Sequence, residues 1–221
     1  MAWKWRKGFL PVGRTGRPFS SRKASYDRRG TTVEVAFSEK KIQQRIRQMA
    51  GEISSDYGEE VVEAVGILDN GFMFLTDLVK HLTCPVICHF LKIEAIDTVE
   101  GGRPLRNVVY SPIEQVQGKN LLLVDAIVES GVTLDHLVQQ LLLKEPKSVR
   151  TAALINRENM RHLPFSVDYS GFPWDGSHLV GYGLAKEGLY RNLPYIALDS
   201  PAADRDENRR GTSKKKGKRK E

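Results

Sequence analysis

The run NLLLVDAIV, residues 120–128, constrains this chain more than any other segment. Its polar members are Asn120 and Asp125, so apolar side chains fall on both faces of the strand it would form. Such a strand belongs in a sheet covered on both sides, the setting of parallel strands joined by crossover helices. A helix should follow at once, because Leu134, Leu137, Val138, Leu141 and Leu142 repeat at i, i+3, i+4, i+7 and i+8. Between strand and helix stand Glu129-Ser130-Gly131-Val132-Thr133.

The other segments repeat this alternation. SEKKIQQRIRQMAGEISSDY at 38–57 opens on a capping Ser38 and carries Ile42, Ile46, Met49 and Ile53 at helical spacing. VVEAVGIL at 61–68 predicts a buried strand, and Asp69-Asn70-Gly71 turns the chain into a helix over FMFLTDLVKHL. PVICHFL forms the next strand. From 92 to 117 the pattern breaks at Gly101, Gly102, Pro104 and Pro112, which predicts an irregular arm. SVRTAALI at 148–155 is a further strand, and shorter ones are expected near 167–169, 179–182 and 195–198. There is no internal repeat.

A chain of 221 residues with 40% hydrophobic content fits one α/β domain with tails. The net charge of +7 is uneven: residues 1–30 carry +8 and residues 201–221 carry +5, which leaves −6 between them. This predicts a basic, flexible extension at 1–30, a folded domain at 31–200 and a basic, disordered tail at 201–221. Ends of this kind attract RNA and other polyanions nonspecifically, and salt weakens the attraction. A solvated tail and an RNA-contacting tail are overlapping readings.

No apolar run reaches the roughly 18 residues of a membrane span. The first residues lack the apolar core of a secretory signal. A cytoplasmic protein without a membrane partner is expected. Cys84 and Cys88 would share a strand face about 13 Å apart, too far for a disulfide. Buried thiols in a reduced cytosol are the simpler account, beside a metal reading that adds His81 or His89.

The loop at 129–133 has the makings of a phosphate cradle. A helix start offers unpaired N–H groups and a partial positive charge, Gly131 lets the backbone close, and Ser130 and Thr133 add hydroxyls. An ordinary strand-to-helix turn with a hydroxyl cap would contain similar residues.

LLLVDAIVESGVTL resembles the phosphoribosyl pyrophosphate motif of the type I phosphoribosyltransferases. VGILDNGFMFLTDLV at 65–79 and DYSGFPWDGSHLVGYGLAKEGLYRNLPYI at 168–196 resemble, in the same order, the early loop and C-terminal hood of bacterial hypoxanthine phosphoribosyltransferases. The resemblance implies a type I phosphoribosyltransferase-like fold: a mainly parallel sheet flanked by helices, with a small hood. It also implies a ligand, phosphoribosyl pyrophosphate or a purine nucleotide, and a purine-salvage transfer of phosphoribose to hypoxanthine or guanine. Homo-oligomerisation, or pairing with a paralogue, comes with the family.

Carried over position by position, the resemblance places the 5′-phosphate on Glu129, Ser130, Gly131, Val132 and Thr133. Asp125 becomes a ribose contact and Glu129 a candidate proton acceptor for the purine. Asn70, Gly71 and Arg191 fall on the pyrophosphate side, and Asn156, His178 and Leu179 around the purine. Departures gather around the metal and the leaving group. Ala126 and Ala185 replace acids, Asp69 stands where lysine is frequent, and Ala95-Ile96 stand at a Ser-Tyr pair. Protein ligands for a metal are largely missing, so magnesium is expected only with the pyrophosphate ligand. Groups that act as a unit lose activity steeply when several are absent, so transfer should be weak or altered. The alternative is a non-catalytic, nucleotide-sensing or RNA-associated regulator.

Overall fold

The structure, a computed structural model, describes residues 24–25, 32–100, 103–110, 115–160 and 166–199. The strands are β1 (Ala24–Ser25), β2 (Thr32–Val33), β3 (Val35–Phe37), β4 (Val62–Leu68), β5 (Val86–Glu100), β6 (Arg103–Tyr110), β7 (Asn120–Val128), β8 (Ser148–Asn156), β9 (Tyr169–Pro173), β10 (Leu179–Val180) and β11 (Ile196–Leu198). The helices are α1 (Glu39–Tyr57), α2 (Phe72–Val79) and α3 (Val132–Leu142). A 3-10 turn covers Glu158–Met160.

The main sheet has the order β6-β5-β4-β7-β8-β9. Five strands run parallel and β6 joins β5 antiparallel. β7 lies inside the sheet, and Leu121, Leu122, Leu123 and Val124 are fully buried, as its two-faced apolar pattern requires. Leu122, Val124 and Ala126 pack with α1 and α2 residues such as Ile46, Ile53, Phe74 and Leu78. Leu121 and Leu123 face the other way, with Leu134 and Leu137 of α3. The arrangement is therefore helix, sheet, helix.

β4 leads through α2 to β5 on one side, and β7 leads through α3 to β8 on the other. The chain thus diverges between adjacent strands β4 and β7, the switch point beyond whose carboxyl ends α/β sheets bind ligands. The loops 69–71 and 129–133 leave these two strand ends.

Ser38 caps α1 as expected, its hydroxyl accepting from the Lys41 N–H at 3.4 Å. The arm differs from the sequence reading, because β5 and β6 form a regular antiparallel pair. Pro104 is accommodated opposite Val99, next to a register shift on the edge strand β6. The hood is a three-stranded sheet, β10-β11-β3, that recruits β3 from the other end of the domain. Phe37 of β3 stacks on Phe172 with ring centroids 4.4 Å apart, which fixes the hood to β9. Cys84 is buried but Cys88 is exposed, so buried thiols describe only the first. No helix among the described residues is long and apolar enough to cross a membrane. Apart from Ala24–Ser25, the basic ends assigned to RNA contact lie outside the described residues.

Candidate functional site

Four segments meet at the carboxyl edge of the sheet. The loop after β4 is locked to the strands beneath it, since a Cβ on Gly71 would stand 2.8 Å from the carbonyl oxygens of Ile67 and Val124. Gly71 then starts α2 without a side-chain cap.

The loop after β7 turns through Gly131, whose φ of 76° is a left-handed conformation that suits glycine. Gly131 is the N-cap of α3 and supplies no side-chain hydrogen bond. The cap residue itself therefore leaves the first N–H groups of this helix to other partners. Ser130 and Thr133 flank them, both partly exposed, and Val132 is exposed.

Asp125 stands on β7, three residues before the strand ends, in register with Ala153 of β8. Its Oδ1 is buried and has no hydrogen-bond partner. Burial pushes the carboxyl pKa up to about 7, against the N–H groups of Ile127 and Ala126, which favour the ionised form. An acceptor left open near a strand end, ahead of a helix start capped by glycine, suits a ligand that donates hydroxyls and carries a phosphate. Ala126 points the other way, 1% exposed within the α1–α2 core.

Glu129 is paired with Arg157, Nη1 to Oε1 at 2.7 Å. The same guanidinium donates from Nη2 to the Gly176 carbonyl at 2.8 Å, so it ties the loop after β7 to the segment leading into the hood. Arg157 is 8% exposed, and the sequence reading did not single it out. Its only sequence signal is an arginine directly after an apolar strand. The neighbouring Asn156 is buried, and its amide donates to Glu158 Oε1 and Ser170 Oγ, each at 3.0 Å. His178 is exposed, and its carbonyl accepts from the Asp199 N–H at 2.9 Å. Leu179 is buried in the α1–α2 core. These two begin the hood, while Asn156 ends β8.

Arg191 closes the fourth side. Its Nη1 donates to Asn70 Oδ1 at 2.6 Å and to the Gly183 carbonyl at 2.5 Å. Its Nη2 lies 3.6 Å from Asp69 Oδ2. The hood is held from beneath by Tyr182, fully buried, which donates to Asp77 Oδ2 at 2.6 Å. Against burial, which pushes the Asp77 carboxyl up, hydrogen bonds from Tyr182, Lys80 and Gln43 hold it below the usual carboxylate range.

Metal ligation fits this corner poorly. Among the described residues no three His, Cys, Asp or Glu side chains converge as a bound ion would need. Asp125 is the single acid at the end of β7, and Ala185 supplies no donor. Magnesium held by the protein is therefore not supported by the residues present. Ala95 and Ile96 lie on the outer half of β5, in register with Arg106 and Leu105.

Comparison with known proteins agrees with this geometry. The family described as phosphoribosyl transferase domain matches residues 37–186. The hypoxanthine-guanine phosphoribosyltransferase of Bacillus subtilis is 30% identical over 171 residues, covering 76% of this chain and 94% of the relative. That of Aquifex aeolicus is 32% identical over 171 residues, covering 77% and 96%. Among solved structures, the hypoxanthine phosphoribosyltransferase of Trypanosoma cruzi in complex with the product IMP superposes with a TM-score of 0.70. It is 27% identical and covers 76% of this chain and 94% of that one. The chain belongs to the phosphoribosyltransferase family and has its type I fold, similar to that of hypoxanthine-guanine phosphoribosyltransferases.

Proposed function

We propose that the chain binds a 5′-phosphoribosyl ligand at the switch point between β4 and β7, and that its phosphoribosyl transfer to hypoxanthine or guanine is weak. The observation that carries the reading is the buried, unpartnered Oδ1 of Asp125, on the strand that leads into the glycine-capped start of α3. In this reading the N–H groups and hydroxyls of 129–133 hold the 5′-phosphate and Asp125 accepts a ribose hydroxyl. The base lies toward Asn156 and His178, and Glu129 is the acid nearest the purine. Any magnesium enters with the pyrophosphate of the ligand. Weak transfer is supported by Ala185, which leaves no acid there to organise the leaving group, and by Asp69 in the loop beside it, whereas Ala126 faces the core and takes no part.

The test pairs calorimetry with turnover. Inosine 5′-monophosphate or phosphoribosyl pyrophosphate should bind the full chain saturably. Turnover with hypoxanthine or guanine should fall orders of magnitude below the kcat of about 10 per second typical of enzymes. Absence of binding by either ligand, with and without magnesium, would sink the reading of the site. A kcat in the ordinary range would sink the reading of the missing carboxylates.

A further inference from the structure

The two phosphate-facing corners of the site are prepared in opposite ways. At 129–133 the donors are backbone N–H groups at the start of α3, and the one acid in the loop, Glu129, is already paired with Arg157. On the pyrophosphate side the cation is Arg191, and this chain has filled its place from within. Asp69 stands 3.6 Å from Nη2, while Asn70 and the Gly183 carbonyl take Nη1 at 2.6 Å and 2.5 Å. The next cation of the hood, Lys186, is held by Asp199 at 2.8 Å. The start of α2 adds a partial positive charge at this corner, which Asp69 also offsets.

We propose that Asp69 acts as a built-in anion at Arg191, so that the site selects ligands with a single 5′-phosphate and disfavours those that also carry a pyrophosphate. The inference rests on the 5′-phosphoribosyl reading above and names the ligand class within it: a purine nucleoside 5′-monophosphate. A diphosphate arriving here meets a carboxylate of its own sign and must break the contact between Asp69 and Arg191. A monophosphate at 129–133 meets neither obstacle. Asp69 is about half exposed, so it can swing away, and the result is discrimination rather than exclusion. One charge against several at about 6 Å in a largely aqueous setting corresponds to roughly tenfold in affinity.

Displacement of inosine 5′-monophosphate from the full chain provides the test. Ribose 5-phosphate and phosphoribosyl pyrophosphate serve as competitors, because they differ only in the pyrophosphate. Wild type should bind ribose 5-phosphate at least about as tightly as phosphoribosyl pyrophosphate, with or without magnesium. Asp69→Asn, which keeps the shape and removes the charge, should shift the ratio toward the pyrophosphate ligand by about tenfold, and Asp69→Lys should shift it further. A wild type that strongly prefers phosphoribosyl pyrophosphate, or a ratio unchanged in both variants, overturns the proposal and leaves the phosphate site standing. If inosine 5′-monophosphate binds none of the three proteins, the site reading and this proposal fall together.

Discussion

Gly183 lies so close to Asn70 that a Cβ on Gly183 would stand 2.2 Å from the Asn70 carbonyl oxygen. The hood turn and the loop after β4 are thus in backbone contact, and Arg191 reinforces the join by bonding to both residues. The φ of Gly183 is 92°, which an L side chain rarely adopts. Gly183→Ala therefore combines strain with a clash and should cost about 2–4 kcal/mol in chemical denaturation. Nucleotide affinity should fall with it. A variant with unchanged stability would show that hood and loop do not depend on each other.

Much of this fold could be read from short stretches of sequence, because β7 is apolar on both faces and α1 repeats its buried residues at helical spacing. The loops 69–71 and 129–133 were recognisable as sharp turns at strand ends. Their adjacency follows only from the strand order, which no local pattern encodes. Arg157 illustrates the difficulty: an arginine after a strand suggests solvent, yet the pairing of Val128 with Asn156 brings it to Glu129. Pro104 suggested an irregular arm, but an edge strand tolerates a residue that cannot donate to the ladder. The entry of β3 into the hood is likewise a long-range pairing without a local signal.

Ala126 looks like the site of a simple reversion, but its side chain lies in the core shared with Phe74 and Leu78. Ala126→Asp would bury a carboxylate there without a partner. We expect it to cost about 3 kcal/mol or more and to restore no turnover. Ala185 is only partly buried, so Ala185→Asp should be tolerated within about 1 kcal/mol. Unfolding curves and a hypoxanthine turnover assay on each single variant check both statements. A stable, faster Ala126→Asp protein would mean that the strand end can turn this side chain toward the ligand.

Arg157 holds the loop after β7 through Glu129 and the segment leading into the hood through the Gly176 carbonyl. Arg157→Gln should leave both acceptors without their charged partner and weaken nucleotide binding by about tenfold or more. Arg157→Lys should recover part of this, because a single ammonium cannot span both acceptors with the same fork geometry. Calorimetric affinities for inosine 5′-monophosphate separate the cases. Equal affinities in all three proteins would assign Arg157 to packing alone.

Asp125 should make both stability and binding depend on pH. In the folded protein its carboxyl holds a proton up to about pH 7, whereas the ordinary value is 3.8. Between these values the folded state binds more protons than the unfolded state, so this group's contribution to stability falls as pH rises through the window and levels off above it. The fall should amount to at most about 4 kcal/mol, and Asp125→Asn should abolish it. A ribose hydroxyl donating to the carboxylate favours its ionised form, so nucleotide binding at pH 6 should release up to about one proton, and almost none at pH 8. Binding enthalpies in two buffers of different ionisation enthalpy, compared between wild type and Asp125→Asn, separate that proton from the one the 5′-phosphate gives up near pH 6. The same buffer dependence in both proteins at pH 6 would mean that the ribose does not reach Asp125.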